Sequence, residues 1–166
     1  RPSYDDVLAE VVVNEWVNAE YKRIRFSAPH PAGSARAGQF FNIECPPAGE
    51  DQPYLRRPMS TYLADTQAGE VEFLYKVTGA GTRGLATLER GMRTRLLGPL
   101  GKGFVLKHAW RHIVVLGRGV GLATLAPLAE LAAEAGIGVT AIISARGREQ
   151  VVSLDRFVAI GARTEL

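Results

Sequence analysis

The feature that most constrains the fold is a change of pattern near residues 107–111. Before this point the sequence consists of short apolar or alternating runs separated by turn residues. After it come an apolar run, a glycine-rich turn and an Ala/Leu-rich segment. The first pattern is typical of an antiparallel barrel or sandwich, and the second of a βαβ unit. The sequence therefore predicts two domains, at residues 1–107 and 108–166.

The first domain is expected to be all-β. In the segment Tyr21–Ala28, Ile24 and Phe26 alternate with Arg23 and Arg25, which indicates one buried and one polar face. The segment 29–38 is rich in Pro, Gly, Ser and Ala and is predicted to be a loop. A short helix over 82–88 is predicted between the fifth and sixth strands. The six predicted strands are Val7–Val17, Tyr21–Ala28, Gln39–Cys45, Arg56–Leu63, Val71–Val77 and Arg93–Leu97.

The second domain is expected to begin a parallel α/β fold. The apolar run at 112–116 is of the kind that is buried on both faces of a parallel sheet. After the turn Gly117–Gly121, a helix is predicted from Leu125 with Thr124 as its N-cap, which would place Pro127 in the first turn, where proline is tolerated. A second strand follows at Val139–Ser144.

Composition excludes several classes of function. The net charge is +3, with 20 Lys and Arg against 17 Asp and Glu, and no basic stripe indicates nucleic-acid binding. The single cysteine, Cys45, permits no intrachain disulfide and cannot by itself hold a zinc ion or an iron–sulfur cluster. We therefore expect no metal site in this chain and a reducing, cytoplasmic location. No apolar run is long enough to span a bilayer.

Residues 56–62 carry the first candidate chemistry, with the sequence Arg-Arg-Pro-Met-Ser-Thr-Tyr. The guanidinium of Arg57 presents a planar set of donors suited to phosphate. The hydroxyls of Ser60 and Thr61 can donate to a phosphate oxygen or a ring nitrogen. The spacing alone leaves open the alternative of a solvated strand end with two surface arginines.

Two glycine-rich segments each precede a helix. Gly79 and Gly81 lie before the short helix at 82–88, where main-chain N–H groups can bind an anion. Thr82 either caps this helix or contacts a phosphate. Gly119 and Gly121 follow a strand and open a helix, the setting of a pyrophosphate-binding turn, although the third glycine comes too early for the full fingerprint.

Taken together and in this order, four elements resemble the ferredoxin-reductase superfamily: Arg-Pro-x-Ser, Gly-x-Gly-Thr, Gly-Pro-x-Gly at 98–101, and Gly-x-Gly-x-Gly. The resemblance spans about residues 7–157 and is strongest to the branch containing the electron-transfer subunit of dihydroorotate dehydrogenase. It implies a six-stranded antiparallel Greek-key barrel that binds FAD, followed by a partial Rossmann-like NAD(P)-binding domain. The implied activity passes hydride from NAD(P)H to FAD and then single electrons to an iron–sulfur protein or partner subunit.

The resemblance also implies roles for individual residues. Arg57 is similar to the arginine that contacts the FAD pyrophosphate, and Ser60 to the catalytic hydroxyl beside the flavin N5 edge, where hydride arrives. Gly119 and Gly121 are similar to the nicotinamide turn. The remaining implied FAD residues are Pro58, Met59 and Thr61 along the flavin, Tyr75, Lys76 and Val77 along the ribityl and phosphate groups, and Gly81 and Thr82 at the pyrophosphate.

Three residues depart from the family pattern. Met59 stands where many relatives carry a tyrosine that stacks on the flavin. Arg118 stands where the most similar relatives carry glycine, and Thr124 where proline is usual. Met59 and Arg118 favour an alternative function, a binding or regulatory module that keeps the reductase fold without flavin.

The choice between NAD and NADP stays open. The second strand of the βαβ unit is followed by Arg146 and Arg148 instead of an acidic residue that could bind a ribose 2′-hydroxyl. Arg146 could accept a 2′-phosphate, or both could be surface arginines. We interpret the chain as part of a longer protein, inactive by itself. A [2Fe–2S] cysteine cluster would be expected only beyond Leu166.

Overall fold

The computed structural model describes residues 4–166, which form two β-sheets with four helices. The first sheet is antiparallel, with the strand order β4-β3-β7-β1-β2-β6-β5. Its strands are β1 (Asp5–Trp16), β2 (Tyr21–Ser27), β3 (Phe40–Ile43), β4 (Arg57–Ser60), β5 (Leu63–Asp65), β6 (Glu70–Lys76) and β7 (Arg93–Leu100). Two helices accompany it, α1 (Pro29–Ser34) and α2 (Ala80–Ala86).

The first sheet curls so that its two edges meet. Strands β4 and β5 lie at opposite ends of the strand order, yet only Thr61 and Tyr62 separate them. The Thr61 N–H donates to the Gln39 carbonyl at 2.9 Å, and the Tyr62 N–H donates to the Glu72 carbonyl at 2.9 Å. The main-chain partner therefore changes from one edge of the sheet to the other between adjacent residues.

This change of partner corrects the predicted strand count. The segment 56–63 was expected to be one strand, but it contains β4 and the start of β5, so the sheet has seven strands instead of six. The predicted loop at 29–38 is also wrong in part, because it contains α1. Pro29 occupies the first position of that helix, where the missing N–H costs nothing.

The interior of the curled sheet is apolar. The alternation predicted for β2 is confirmed, since Ile24 and Phe26 are buried while the Arg25 guanidinium donates to the Glu72 carboxylate at 2.8 Å on the outer face. Phe73 contacts both Phe26 and Phe41 edge to face, with ring centroids 6.1 and 5.4 Å away. The core of this sheet comprises Ala9, Val11, Ile24, Phe26, Ala28, Phe41, Ile43, Cys45, Val71, Phe73, Tyr75, Leu85, Leu88 and Leu96.

The second sheet confirms the predicted βαβ unit. It is parallel, with the order β10-β9-β8. Its elements are β8 (His112–Arg118), α3 (Leu122–Glu134), β9 (Gly138–Ser144), α4 (Leu154–Ala159) and β10 (Arg163–Glu165).

Helix α3 begins earlier than predicted. Residues 119–121 wind as a 3-10 turn directly into the helix, which therefore starts at Leu122 instead of Leu125. Thr124 is consequently a helical residue and not the N-cap, and Pro127 lies inside the helix beyond its first turn. Gly121, the last residue of this turn, occupies the N-cap position, and no side chain caps the helix.

Strand β8 is buried on one face only, which corrects the expectation of burial on both. Val115 is 4% exposed and packs in the same apolar cluster as residues of α3 and α4. Val114 and Leu116, on the opposite face, are 63% and 69% exposed. The reason is that both helices cover the same side of this sheet.

The two sheets pack against each other through Tyr62. Its ring lies in one apolar cluster with the second sheet, and its hydroxyl donates to Ser153 Oγ at 3.0 Å. The Arg156 guanidinium lies over the Tyr62 ring at 4.2 Å, donates to the Tyr62 carbonyl at 2.6 Å and forms an ion pair with Glu130. This contact holds the end of β4 close to α3.

Candidate functional site

The first predicted site segment is an edge strand. β4 pairs with β3 in the register Phe41↔Met59 and Asn42↔Pro58, and it ends the strand order of the sheet. Pro58 has no N–H to donate and is therefore tolerated on an edge strand. Met59 packs against the core of the first sheet, whereas Pro58 is exposed. The strand thus leaves Arg57 and Ser60 at its two ends.

Arg57 lies over the start of α2. A Cβ built on Gly81 would lie 2.6 Å from Arg57 Nε and 2.9 Å from its Cζ, so only glycine permits this approach. The guanidinium donates to the carbonyl of Leu55. None of the ion pairs formed by residues 4–166 involves Arg57. The structure therefore brings the Arg-Pro-Met-Ser strand and the Gly-x-Gly-Thr segment together, with one cation lacking a carboxylate partner.

The Thr82 side chain is used inside its own turn. Its hydroxyl accepts from the N–H groups of Thr78 and Gly79 at 2.9 and 3.0 Å and donates to the Gly79 carbonyl at 3.1 Å. Of the two alternatives for this hydroxyl, capping is the one the structure shows. The Arg83 N–H is bonded to the Gly79 carbonyl at 2.9 Å, so the N–H groups of the helix start beside Arg57 that could bind an anion are those before Arg83.

The opposite end of α2 is held by Asn14, a residue with no role in the sequence analysis, and through it by Tyr75. The Asn14 amide donates to the carbonyls of Leu85 and Leu88, both at 2.8 Å. The Tyr75 hydroxyl in turn donates to Asn14 Oδ1 at 2.9 Å. Tyr75 is only 1% exposed, and burial raises the pKa of its hydroxyl above the usual range although the Asn14 hydrogen bond opposes this. The Tyr75 side chain thus belongs to the core, which leaves only its main chain for contact with a ligand.

Lys22 is the third residue at this end of α2. Its ammonium donates to the Ala86 carbonyl at 3.0 Å and lies 5.3 Å from the centre of the Trp16 ring. The residue is 6% exposed and forms no ion pair within residues 4–166. Burial lowers the pKa of its ammonium below the usual 10.5. The charge is therefore less favourable in the folded chain than in the unfolded chain.

This burial predicts a pH dependence of stability. Because the folded-state pKa lies below the unfolded value, the unfolded chain binds more protons between the two, and the free energy of unfolding contributed by Lys22 rises with pH in that window. We expect the stability of wild type relative to Lys22→Met to increase as the pH approaches 10.5. Urea unfolding at a series of alkaline pH values measures this. The exposed Lys107→Met variant serves as the control. An equal slope for both variants would contradict the prediction.

Lys76 and Arg146 meet at one carboxylate. Lys76 Nζ lies 2.7 Å from Glu20 Oε2, and Arg146 Nη2 lies 3.0 Å from Glu20 Oε1. The Lys76 hydrogen bond is the main cause that lowers the pKa of Glu20. Arg146 therefore reaches from the second sheet to the first as a partner of Glu20, although its side chain remains 63% exposed.

The two glycines of the predicted nicotinamide turn differ in their surroundings. Gly119 has φ +53°, and a Cβ there would lie 2.3 Å from the Tyr21 hydroxyl, so packing between the sheets requires glycine. A Cβ on Gly121 would meet nothing within 4 Å, and the residue is exposed. Only Gly121 of the pair thus faces open space.

Ser60 contacts the second sheet's helix. Thr124 Oγ1 donates to Ser60 Oγ at 2.7 Å, across 64 residues of sequence. Thr124 was predicted to be a helix cap, and no local pattern around it indicates this contact. The predicted flavin-edge residue and the first turn of α3 are thereby joined directly.

Two features are absent from the described part of the chain. No helix within residues 4–166 is long and apolar enough to cross a membrane. Within the same residues, no group of three or more His, Cys, Asp or Glu side chains is placed to hold a metal ion.

Comparison with known proteins identifies the family. The sequence profile described as the oxidoreductase FAD-binding domain matches residues 8–104, more than half of the chain. The chain belongs to this family. It is also 33% identical over 140 residues to the electron-transfer subunit of dihydroorotate dehydrogenase B (NAD(+)) from Desulforamulus reducens, which covers 84% of the chain and 52% of that relative. The resemblance to the ferredoxin-reductase superfamily is confirmed, and the chain spans about half the length of such relatives.

Solved structures agree with this fold. An NADH-dependent reduced ferredoxin-NADP oxidoreductase superimposes with a TM-score of 0.82 and 26% identity, over 95% of this chain and 55% of its own. A cytochrome P450 reductase from Amycolatopsis superimposes with a TM-score of 0.80 and 23% identity, over 99% of this chain and 52% of its own. The second likeness shows the fold alone.

Proposed function

We propose that this chain is the FAD-binding part, with the beginning of the NAD(P)-binding part, of an electron-transfer flavoprotein. The observation that carries the proposal is Arg57 packed against Gly81 at the start of α2, an arginine that forms no ion pair within residues 4–166. We propose the domains 1–107 and 108–166, since the antiparallel sheet ends at Leu100 and the parallel sheet begins at His112.

The described residues fit FAD. Arg57, packed against Gly81, offers a planar cation to a pyrophosphate beside the main chain of the start of α2, and Ser60 offers a hydroxyl at the other end of the same strand. The residues proposed to hold FAD are Arg57, Pro58, Met59, Ser60, Thr61, Tyr75, Lys76, Val77, Gly81 and Thr82. FAD, when bound, supplies the redox chemistry that accepts hydride and releases single electrons.

The chain's own residues would orient that group. Arg57 would hold the pyrophosphate end, and the Ser60 hydroxyl would be a hydrogen-bond donor at the flavin N5 edge. Met59, which packs on the core of the first sheet, would take the place of a stacking tyrosine beside the flavin. These contacts would determine which edge of the flavin faces the nicotinamide.

We propose NAD(P)H as the hydride donor and Gly119, Gly121 and Arg146 as its contacts. Exposed Gly121 at the start of α3 supports this more directly than Gly119, which packs on Tyr21. Arg146 would have to exchange Glu20 for a 2′-phosphate, so both NAD and NADP remain candidates. The name of the relatives, an electron-transfer subunit, supports a partner subunit as electron acceptor. We propose an iron–sulfur protein as the alternative acceptor and a cytoplasmic location.

A Greek-key barrel is the finer description that we propose for the first domain. If 57–65 is counted as one bent strand, the seven strands reduce to six arranged around a ring. Strands β1 and β2 are neighbours, whereas β7 and β1 lie between β2 and β3, so the connection from β2 to β3 passes over other strands. Such a crossing supports the Greek-key arrangement.

FAD titration of the purified chain tests the proposal. We expect flavin fluorescence to change on binding and the reisolated protein to carry a flavin absorption spectrum. A folded chain that remains colourless and ignores added FAD would instead favour a flavin-less binding or regulatory module. In the longer protein, NAD(P)H-dependent reduction of ferricyanide would then test electron transfer.

A further inference from the structure

The hydrogen bond between Thr124 and Ser60 is unusual for a helical threonine. Such hydroxyls ordinarily bond to a carbonyl of the preceding turn of their own helix. Thr124 instead donates to Ser60 Oγ at 2.7 Å in a part-buried contact between α3 and β4. This is the one hydrogen bond made by the Ser60 side chain within residues 4–166.

A hydroxyl carries one proton and two lone pairs, so either of these two hydroxyls can donate to the other. In the arrangement in which Thr124 donates, a lone pair of Ser60 is used and the Ser60 proton stays available for a third group. Without Thr124, the Ser60 hydroxyl has no other side-chain hydrogen bond among the described residues to hold its rotamer.

We propose that Thr124 is a positioning residue that holds the Ser60 hydroxyl so that its proton points to the flavin N5 edge. This inference rests on the proposed function, because it assigns Ser60 to the flavin. Thr124 follows the exposed Gly121 by three residues in the first turn of α3. The same hydrogen bond therefore links the proposed nicotinamide turn to the proposed flavin edge.

A double-mutant cycle tests this inference. The proteins are wild type, Thr124→Val, Ser60→Ala and the double variant, with Thr124→Ser as the conservative variant that keeps the hydroxyl. The readouts are the FAD dissociation constant from fluorescence titration and the shape of the bound flavin's absorption spectrum. We expect Thr124→Val to weaken FAD binding about 3- to 10-fold and to alter the spectrum, as the loss of one positioned hydrogen bond implies.

The expected pattern is specific. Thr124→Ser should restore wild-type affinity and spectrum, and Thr124→Val should have no further effect once Ser60 is alanine. An effect of equal size in both backgrounds would overturn the inference, because Thr124 would then act through the packing of α3. Wild-type binding of FAD that is insensitive to Thr124→Val overturns this inference alone, whereas a wild-type chain that binds no FAD overturns the proposed function as well.

Discussion

Replacement of Arg57 by alanine is expected to weaken FAD binding about 10- to 100-fold, the effect of losing charge-assisted hydrogen bonds to a phosphate. The arginine packs against Gly81 and has no carboxylate partner among the described residues, so its charge is available to a diphosphate. Fluorescence titration with FAD measures the loss. Arg57→Lys should fall between wild type and Arg57→Ala, because it keeps the charge and loses the planar set of donors.

Arg118→Ala is the matched control. Arg118 also forms no ion pair within residues 4–166, but it is exposed at the end of β8, beside the proposed nicotinamide turn. We expect it to change the FAD affinity less than about twofold, within the range of surface substitutions away from a binding site. Equal losses in the two variants would show that the pyrophosphate lies elsewhere.

Replacement of Gly84 by alanine is expected to destabilise the chain by about 2–3 kcal/mol, although alanine is favoured over glycine inside a helix by about 1 kcal/mol. A Cβ on Gly84 would lie 2.0 Å from the Pro46 carbonyl oxygen, a main-chain atom that cannot move aside as a side chain can. Helix α2 would have to shift away from the segment after β3. Urea unfolding measures the change in the free energy of unfolding.

Gly33→Ala provides the comparison within another helix. A Cβ on Gly33 in α1 would meet nothing within 4 Å. Helix propensity alone should then stabilise the chain by up to about 1 kcal/mol. If Gly84→Ala were as stable as Gly33→Ala, the close approach of α2 to Pro46 would be refuted.

Helix α2 is held by close packing at two glycines and by hydrogen bonds at its C-terminal end. Gly84 allows the helix to approach Pro46, and Gly81 allows Arg57 to lie over its first turn. Asn14 and Lys22 donate to carbonyls at the C-terminal end, those of Leu85, Leu88 and Ala86. The start of the helix is thus fixed beside Arg57 without any acidic residue in its first turn.

The sequence by itself predicted those elements whose evidence is local. The alternation of Ile24 and Phe26 with arginines predicted β2, and the run at 112–116 followed by glycines and an Ala/Leu-rich segment predicted the βαβ unit. The family resemblance also implied that Arg57 and Gly81 both contact the pyrophosphate, and therefore that they would meet. Their proximity is now a structural fact, while their part in binding FAD stays a prediction.

Only the tertiary structure decided which distant groups meet. The division of 56–63 into two strands depends on Gln39 and Glu72, which accept from adjacent N–H groups at opposite sheet edges. Thr124 bonds to a serine 64 residues away, and the glycine requirement at Gly119 comes from Tyr21. Periodicity reports which face of an element is apolar, but the partner of a hydrogen bond or a close contact comes from elsewhere in the chain and leaves no local pattern.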